Sequence, residues 1–100
     1  MLEATADAPV VQVHGDVDLN TAPTLAHQMA HVAERCPERL VLDLTDVGIF
    51  DARGVAVLVS IRQLLPDHCS IVLRRPRPLV RKVLEVTEMD RVCIIEDQEE

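Results

Sequence analysis

The chain has 100 residues, of which 48% are hydrophobic but only 1% aromatic, and its net charge is -7. A single modest core of Val, Leu, Ile and Ala suits this length without disulfides, so one domain over residues 1–100 is expected. The negative field argues against nucleic acid and anionic lipid as partners, and the near absence of rings removes the stacking surfaces that single-strand binders use. Cys36, Cys69 and Cys93 lack CxxC spacing and lie beside or within apolar segments, which predicts buried free thiols in a reducing cytoplasm. The apolar run Val55–Val59 is far too short to span a bilayer, and Met1–Asp7 is acidic, unlike a secretory leader.

A weak extended piece is expected near Leu2–Thr5. Pro9–His14 (PVVQVH) reads as a strand, and Gly15-Asp16 as the turn after it. Thr21–Arg35 has the spacing of an amphipathic helix, with Ala22, Leu25, Ala26, Met29 and Ala33 on the inner stripe. Thr21 is its predicted N-cap, and Pro23 sits in the first turn, where a missing N–H costs nothing. Thr24, His27, His31 and Glu34 face outward. Leu40–Leu44 (LVLDL) is a strand apolar enough to be buried on both faces, and Thr45–Phe50 is a loop.

Val55–Val59 alone would favour a strand by propensity. Asp51 as an N-cap, with Val55, Leu58, Val59, Ile61, Arg62 and Leu65 recurring at helical spacing, predicts a helix over Ala52–Leu65 instead. Pro66-Asp67 ends it. Ser70–Leu73 is a buried strand. A helix opens at Arg77-Pro78 with Leu79, Val80, Val83, Leu84 and Thr87 inward and Arg81, Lys82, Glu85 and Glu88 outward. Val92–Ile95 is a last strand, and residues 96–100 form an acidic tail. Alternation of this kind predicts an α/β fold with helices packed on a parallel or mixed sheet.

Gly15-Asp16-Val17-Asp18 followed by Thr21-Ala22, and Leu40–Leu44 leading through a loop to Phe50-Asp51-Ala52-Arg53-Gly54, resemble the two signature regions of the STAS family (sulfate transporter and anti-sigma factor antagonist domains). The resemblance runs over residues 10–95. It implies a four-to-five-stranded mixed sheet with helices mainly on one side. It also implies a non-enzymatic protein-binding module that engages an anti-sigma factor, often a serine kinase. An accessory domain of a transporter ATPase or of a sensory multi-protein complex is the alternative in the same family. Asp18, Asp51, Ala52, Arg53 and Gly54 map to the partner-binding region, and a second copy of the chain is a further candidate partner. In such domains a Ser or Thr at the third position of the D-[ST]-[ST]-G run accepts phosphate. Arg53 stands there in this sequence; it cannot accept phosphate, and its charge is opposite to that of phosphoserine.

The remaining chemistry-bearing residues are weaker signals. His27 and His31 sit at i, i+4, but Gln28 occupies the place of a zincin's general base, and no metal or other cofactor is expected. Asp16, Asp18, Asp43, Asp46 and Asp51 cluster near predicted strand ends, where Asp18 and Asp51 suit turn and capping roles. Arg74, Arg75, Arg77, Arg81 and Lys82 form a basic run that reads first as a solvated helix start; binding of an acidic partner, or screening by Glu96, Asp97, Glu99 and Glu100, are the alternatives. Thr45, Ser60 and Thr87 are alternative hydroxyls for phosphorylation, with Ser60 expected to be poorly accessible inside a helix. No catalytic constellation is readable, so the chain is not expected to be an enzyme.

Overall fold

In a computed structural model, residues 2–3, 9–35 and 38–97 are described. The elements are β1 (Leu2–Glu3), β2 (Val10–His14), α1 (Ala22–Ala33), β3 (Arg39–Asp46), α2 (Ala52–Leu64), β4 (Ser70–Arg74), α3 (Pro78–Val86) and β5 (Ile94–Glu96), with a short 3-10 turn at Met89–Arg91. The sheet order is β1-β2-β3-β4-β5. Strands β2 to β5 are all parallel; only the two-residue β1 pairs antiparallel, at the edge. The body of the sheet is therefore parallel where a mixed sheet was expected. The reason is that a helix fills each connection from β2 onward, and a crossover of that length returns the chain in the same direction.

Strand alternation divides the sheet into two faces. Val11, Leu40, Leu42, Leu44, Ile71 and Leu73 share one core with Leu25, Met29 and Val32 of α1, Val57, Leu58 and Ile61 of α2, and Val80 and Leu84 of α3. All three helices thus cover one face. On β3, Leu40–Leu44 are all buried, as are Ile71–Leu73 on β4, which matches the expectation of strands buried on both sides.

The helices differ from the sequence reading in which residues turn inward. Val32 replaces Ala33 as the last fully buried residue of α1. In α2 the buried stripe is Gly54, Val57, Leu58 and Ile61, and Val59 is exposed. Arg62 is held at the end of α2 by donating to the carbonyls of Pro66 and Cys69, at 2.8 and 2.7 Å, rather than by packing under the sheet. In α3 only Val80 and Leu84 are buried, Val83 is half-buried, and Leu79 and Thr87 are exposed. Leu79 and Val86 of this helix are exposed, so its inward stripe is narrower than its apolar one. Cys69 and Cys93 are buried free thiols; Cys36 lies outside the described residues.

Candidate functional site

Two loops meet at the carboxyl ends of β2 and β3, the end of a parallel sheet where binding sites concentrate. The first, residues 15–21, begins at Gly15, whose φ of 83° suits glycine in the turn. The second runs through residues 47–51 into α2. Backbone bonds stitch them together: Val17 N–H donates to the Ile49 carbonyl at 2.7 Å, and Asp51 N–H to the Val17 carbonyl at 3.3 Å. Val17 and Phe50 form an isolated parallel bridge. The Asp16 carboxylate adds a cross-link by accepting from Ile49 N–H at 3.0 Å. Both loops are thereby held as one surface.

Within it, Asp18 shapes the entry to α1. Its carboxylate accepts from Asn20 N–H at 2.9 Å and Thr21 N–H at 3.2 Å, and its carbonyl accepts from Ala22 N–H at 2.8 Å. Thr21, the predicted cap, makes no side-chain cap bond; its hydroxyl instead donates to the Asp16 carbonyl at 2.7 Å and accepts from Asp18 N–H. An Asx turn thus closes the approach to α1, with Asp18 serving the Asn20 and Thr21 amides just before the helix while the Thr21 hydroxyl is engaged with the Asp16 carbonyl.

Asp51 caps α2 as expected, accepting from Arg53 N–H at 2.8 Å. Asp51, Ala52 and Arg53 are exposed and Asp18 is half-buried. The Arg53 guanidinium forms no ion pair with the described residues. Gly54 is buried against the Phe50 ring, where an added Cβ would lie 2.7 Å from the nearest ring carbon. Its part is therefore to let the chain's only aromatic ring close under the first turn of α2. Leu19 and Ile49, 60% and 55% exposed, stand on the same two loops. Sequence patterning did not single them out, because a lone apolar residue in a loop looks like a core residue until burial is known.

The other candidate groups disperse. Asp43 lies on the far face of the sheet, where its carboxylate accepts from the Thr45 N–H and hydroxyl at 2.9 and 2.5 Å and lies 3.6 Å from the Arg75 guanidinium. Burial alone would raise its pKa, but the Thr45 bonds and the Arg75 and Arg74 charges outweigh that and hold it below 3.8. Asp46 pairs with His14 at 3.2 Å. Asp16, Asp18 and Asp51 all receive backbone N–H groups, so the five aspartates do not converge. Among the described residues no cluster of His, Cys, Asp or Glu is placed to hold a metal ion.

The basic run is largely matched from within: Arg74 pairs with Glu96, Arg75 with Asp43, and Arg81 with both Glu85 and Asp97, while Arg77 donates to the Thr45 carbonyl. Glu99 and Glu100 lie outside the described residues. Thr45 and Thr87 are exposed, and so is Ser60, contrary to expectation, because it falls on the solvent side of α2. No helix among the described residues is long and apolar enough to cross a membrane.

The family model described as "Mlab, STAS domain" matches residues 1–96. The chain belongs to the STAS domain family. Among solved structures, it is similar to an anti-sigma factor antagonist from Mycobacterium paratuberculosis, with 26% identity and a TM-score of 0.86 over 98% of this chain and 84% of that one. A Thermotoga maritima protein proposed to be an anti-sigma factor antagonist has 20% identity and a TM-score of 0.86, over 98% and 86% of the two chains. The anti-sigma factor antagonist SpoIIAA in its unphosphorylated form has 18% identity and a TM-score of 0.75, over 95% and 85%. In this STAS domain the signature loops coincide with the stitched surface around Asp18 and Asp51–Gly54.

Proposed function

We propose that this STAS domain is a non-enzymatic, cytoplasmic binding module of the anti-sigma factor antagonist kind, and that the stitched loop pair is its partner-facing surface. The observation that carries this reading is the exposure of Leu19, Ile49, Asp51, Ala52 and Arg53 on two loops tied together by backbone bonds and on the first turn of α2. Apolar anchors ringed by polar groups on a preformed surface are what a protein interface needs. Asp18 acts by fixing the first loop and Gly54 by seating Phe50, so both shape the surface from beneath. The likeness to anti-sigma factor antagonists favours an anti-sigma factor as partner over a transporter ATPase.

Arg53 stands where the family resemblance puts the phosphate acceptor, and on this reading binding through the loop is not switched off there. An exposed cation at a helix start opposes the dipole at a cost of about 0.3–1 kcal/mol, and contact with an acidic group of the partner would offset it. Affinity capture with the wild type, Arg53→Ser and Arg53→Glu tests the reading. The wild type should retain a serine-kinase-like anti-sigma factor with or without ATP, and Arg53→Glu should lose about tenfold or more in affinity. Equal retention by all three variants would remove the loop from the interface. Capture of a transporter ATPase would assign the chain to the alternative system.

A further inference from the structure

We infer that α3 is a self-association surface on which a second copy of this chain docks antiparallel. Two independent observations meet on this helix. First, Leu79 and Val86 are 76% and 72% exposed. They stand seven residues apart, on the same stripe as Lys82 and the half-buried Val83, about 10 Å along the axis at 1.5 Å per residue. Scattered exposed apolar residues are ordinary; two aligned on one helix face, joined through Val83 to the buried Val80 and Leu84, carry the apolar stripe of α3 out into solvent.

Second, the charges of α3 run against its macrodipole. There is no acidic residue in the first turn and no basic residue in the last. Arg77 and Arg81 stand toward the start, Lys82 at the middle, and Glu85 and Glu88 toward the end. This arrangement destabilises a lone helix and suits an antiparallel neighbour of the same sequence, whose acidic end then lies beside the basic start.

A twofold axis between Lys82 and Val83 satisfies both features. It sets Leu79 of one copy against Val86 of the other, twice. Lys82 and Glu85 share one flank of the stripe, and in an antiparallel pair that flank meets its own symmetry mate, so each Lys82 comes within a turn of the other copy's Glu85. Glu85 is already oriented by Arg81, at 2.9 Å, and Arg81 is neutralised by Asp97. Lys82 has no such partner among the described residues. None of the residues of the stitched loops takes part.

Two nine-residue helices bury less than a standard interface, so the dimer is weak and fills over a range of about 10 μM to 1 mM. Sedimentation velocity of the full chain over that range tests it. The wild type should shift from monomer to dimer, while Leu79→Glu, a change at an exposed position, should stay monomeric throughout. Lys82→Glu should weaken association about tenfold, and Lys82→Glu with Glu85→Lys should return it to within about threefold of wild type. A wild type that stays monomeric to 1 mM overturns the inference, as does a Leu79→Glu chain that dimerises normally. A charge-swapped chain no better than the single variant overturns the antiparallel register.

Discussion

The starts of α2 and α3 are held in opposite ways. At α2 the Asp51 carboxylate caps the helix and the Phe50 ring closes beneath Gly54 with no room for a Cβ. At α3 no side chain caps the helix; Pro78 presets the first turn, and Arg77 ties it to the end of β3 through the Thr45 carbonyl at 3.0 Å. The neighbouring Arg75 and Arg74 reach Asp43 and Glu96, and Arg75 N–H donates to the Glu96 carbonyl. One helix start is thus fixed by a local cap together with packing, the other by ion pairs and hydrogen bonds from arginines. Packing is indifferent to pH and salt, whereas the second set of contacts depends on protonation.

The largest effects should come from breaking the packed start. Gly54→Ala forces the Cβ into the Phe50 ring and should destabilise the chain by about 1–3 kcal/mol, as overpacking does. Phe50→Leu with Gly54→Ala should recover part of that loss, measured as the coupling in a double-mutant cycle of urea unfolding. Strict additivity would mean that the ring is not what the Cβ meets. Next in size, Asp51→Ala removes the cap of α2 and should lower stability by about 1 kcal/mol, with faster amide exchange confined to the first turn of that helix.

The smallest effect tests the electrostatic start. Asp43 has a folded pKa below its ordinary 3.8, so its contribution to stability is present above that value and is lost as pH falls through the folded pKa. Thr45→Val removes the hydroxyl bond and part of the depression. It should cost about 1 kcal/mol at neutral pH and raise the pH at which the Asp43 carboxyl protonates in the folded chain, followed by its NMR carboxyl shift. Cys93 supplies a further contrast. Burial raises its thiol to about 11, with Arg62 opposing, so it should resist alkylation in the folded state at pH 8 and react fully once the chain is unfolded.

Much of this architecture was legible in the sequence. The runs PVVQVH, LVLDL and SIVL announce strands through β-branched and leucine density, and the stop at Pro66 and the start at Pro78 bound helices by covalent geometry. Asp51 was readable as a cap because capping needs only a carboxylate and two nearby amides. The order and spacing of the two signature segments carried the family resemblance. These features depend on local chemistry or on linear order, and both survive in a one-dimensional record.

What tertiary structure decided depends on which distant atoms meet. Leu79 and Leu84 are the same residue type on the same helix, yet one is exposed and the other buried, because only one side of α3 has a neighbour. Thr21 makes no cap bond because the fold of the loop draws its hydroxyl to the Asp16 carbonyl, while Asp18 orders the amides just before α1. Gly54 needed Phe50 to give it a reason, and Asp16 joined the site only when β2 and β3 brought their ends together. The sequence by itself determined the elements, their order and the family. The tertiary structure alone decided which side chains face outward at the ends of the strands, because exposure belongs to the packed surface and not to any residue within it.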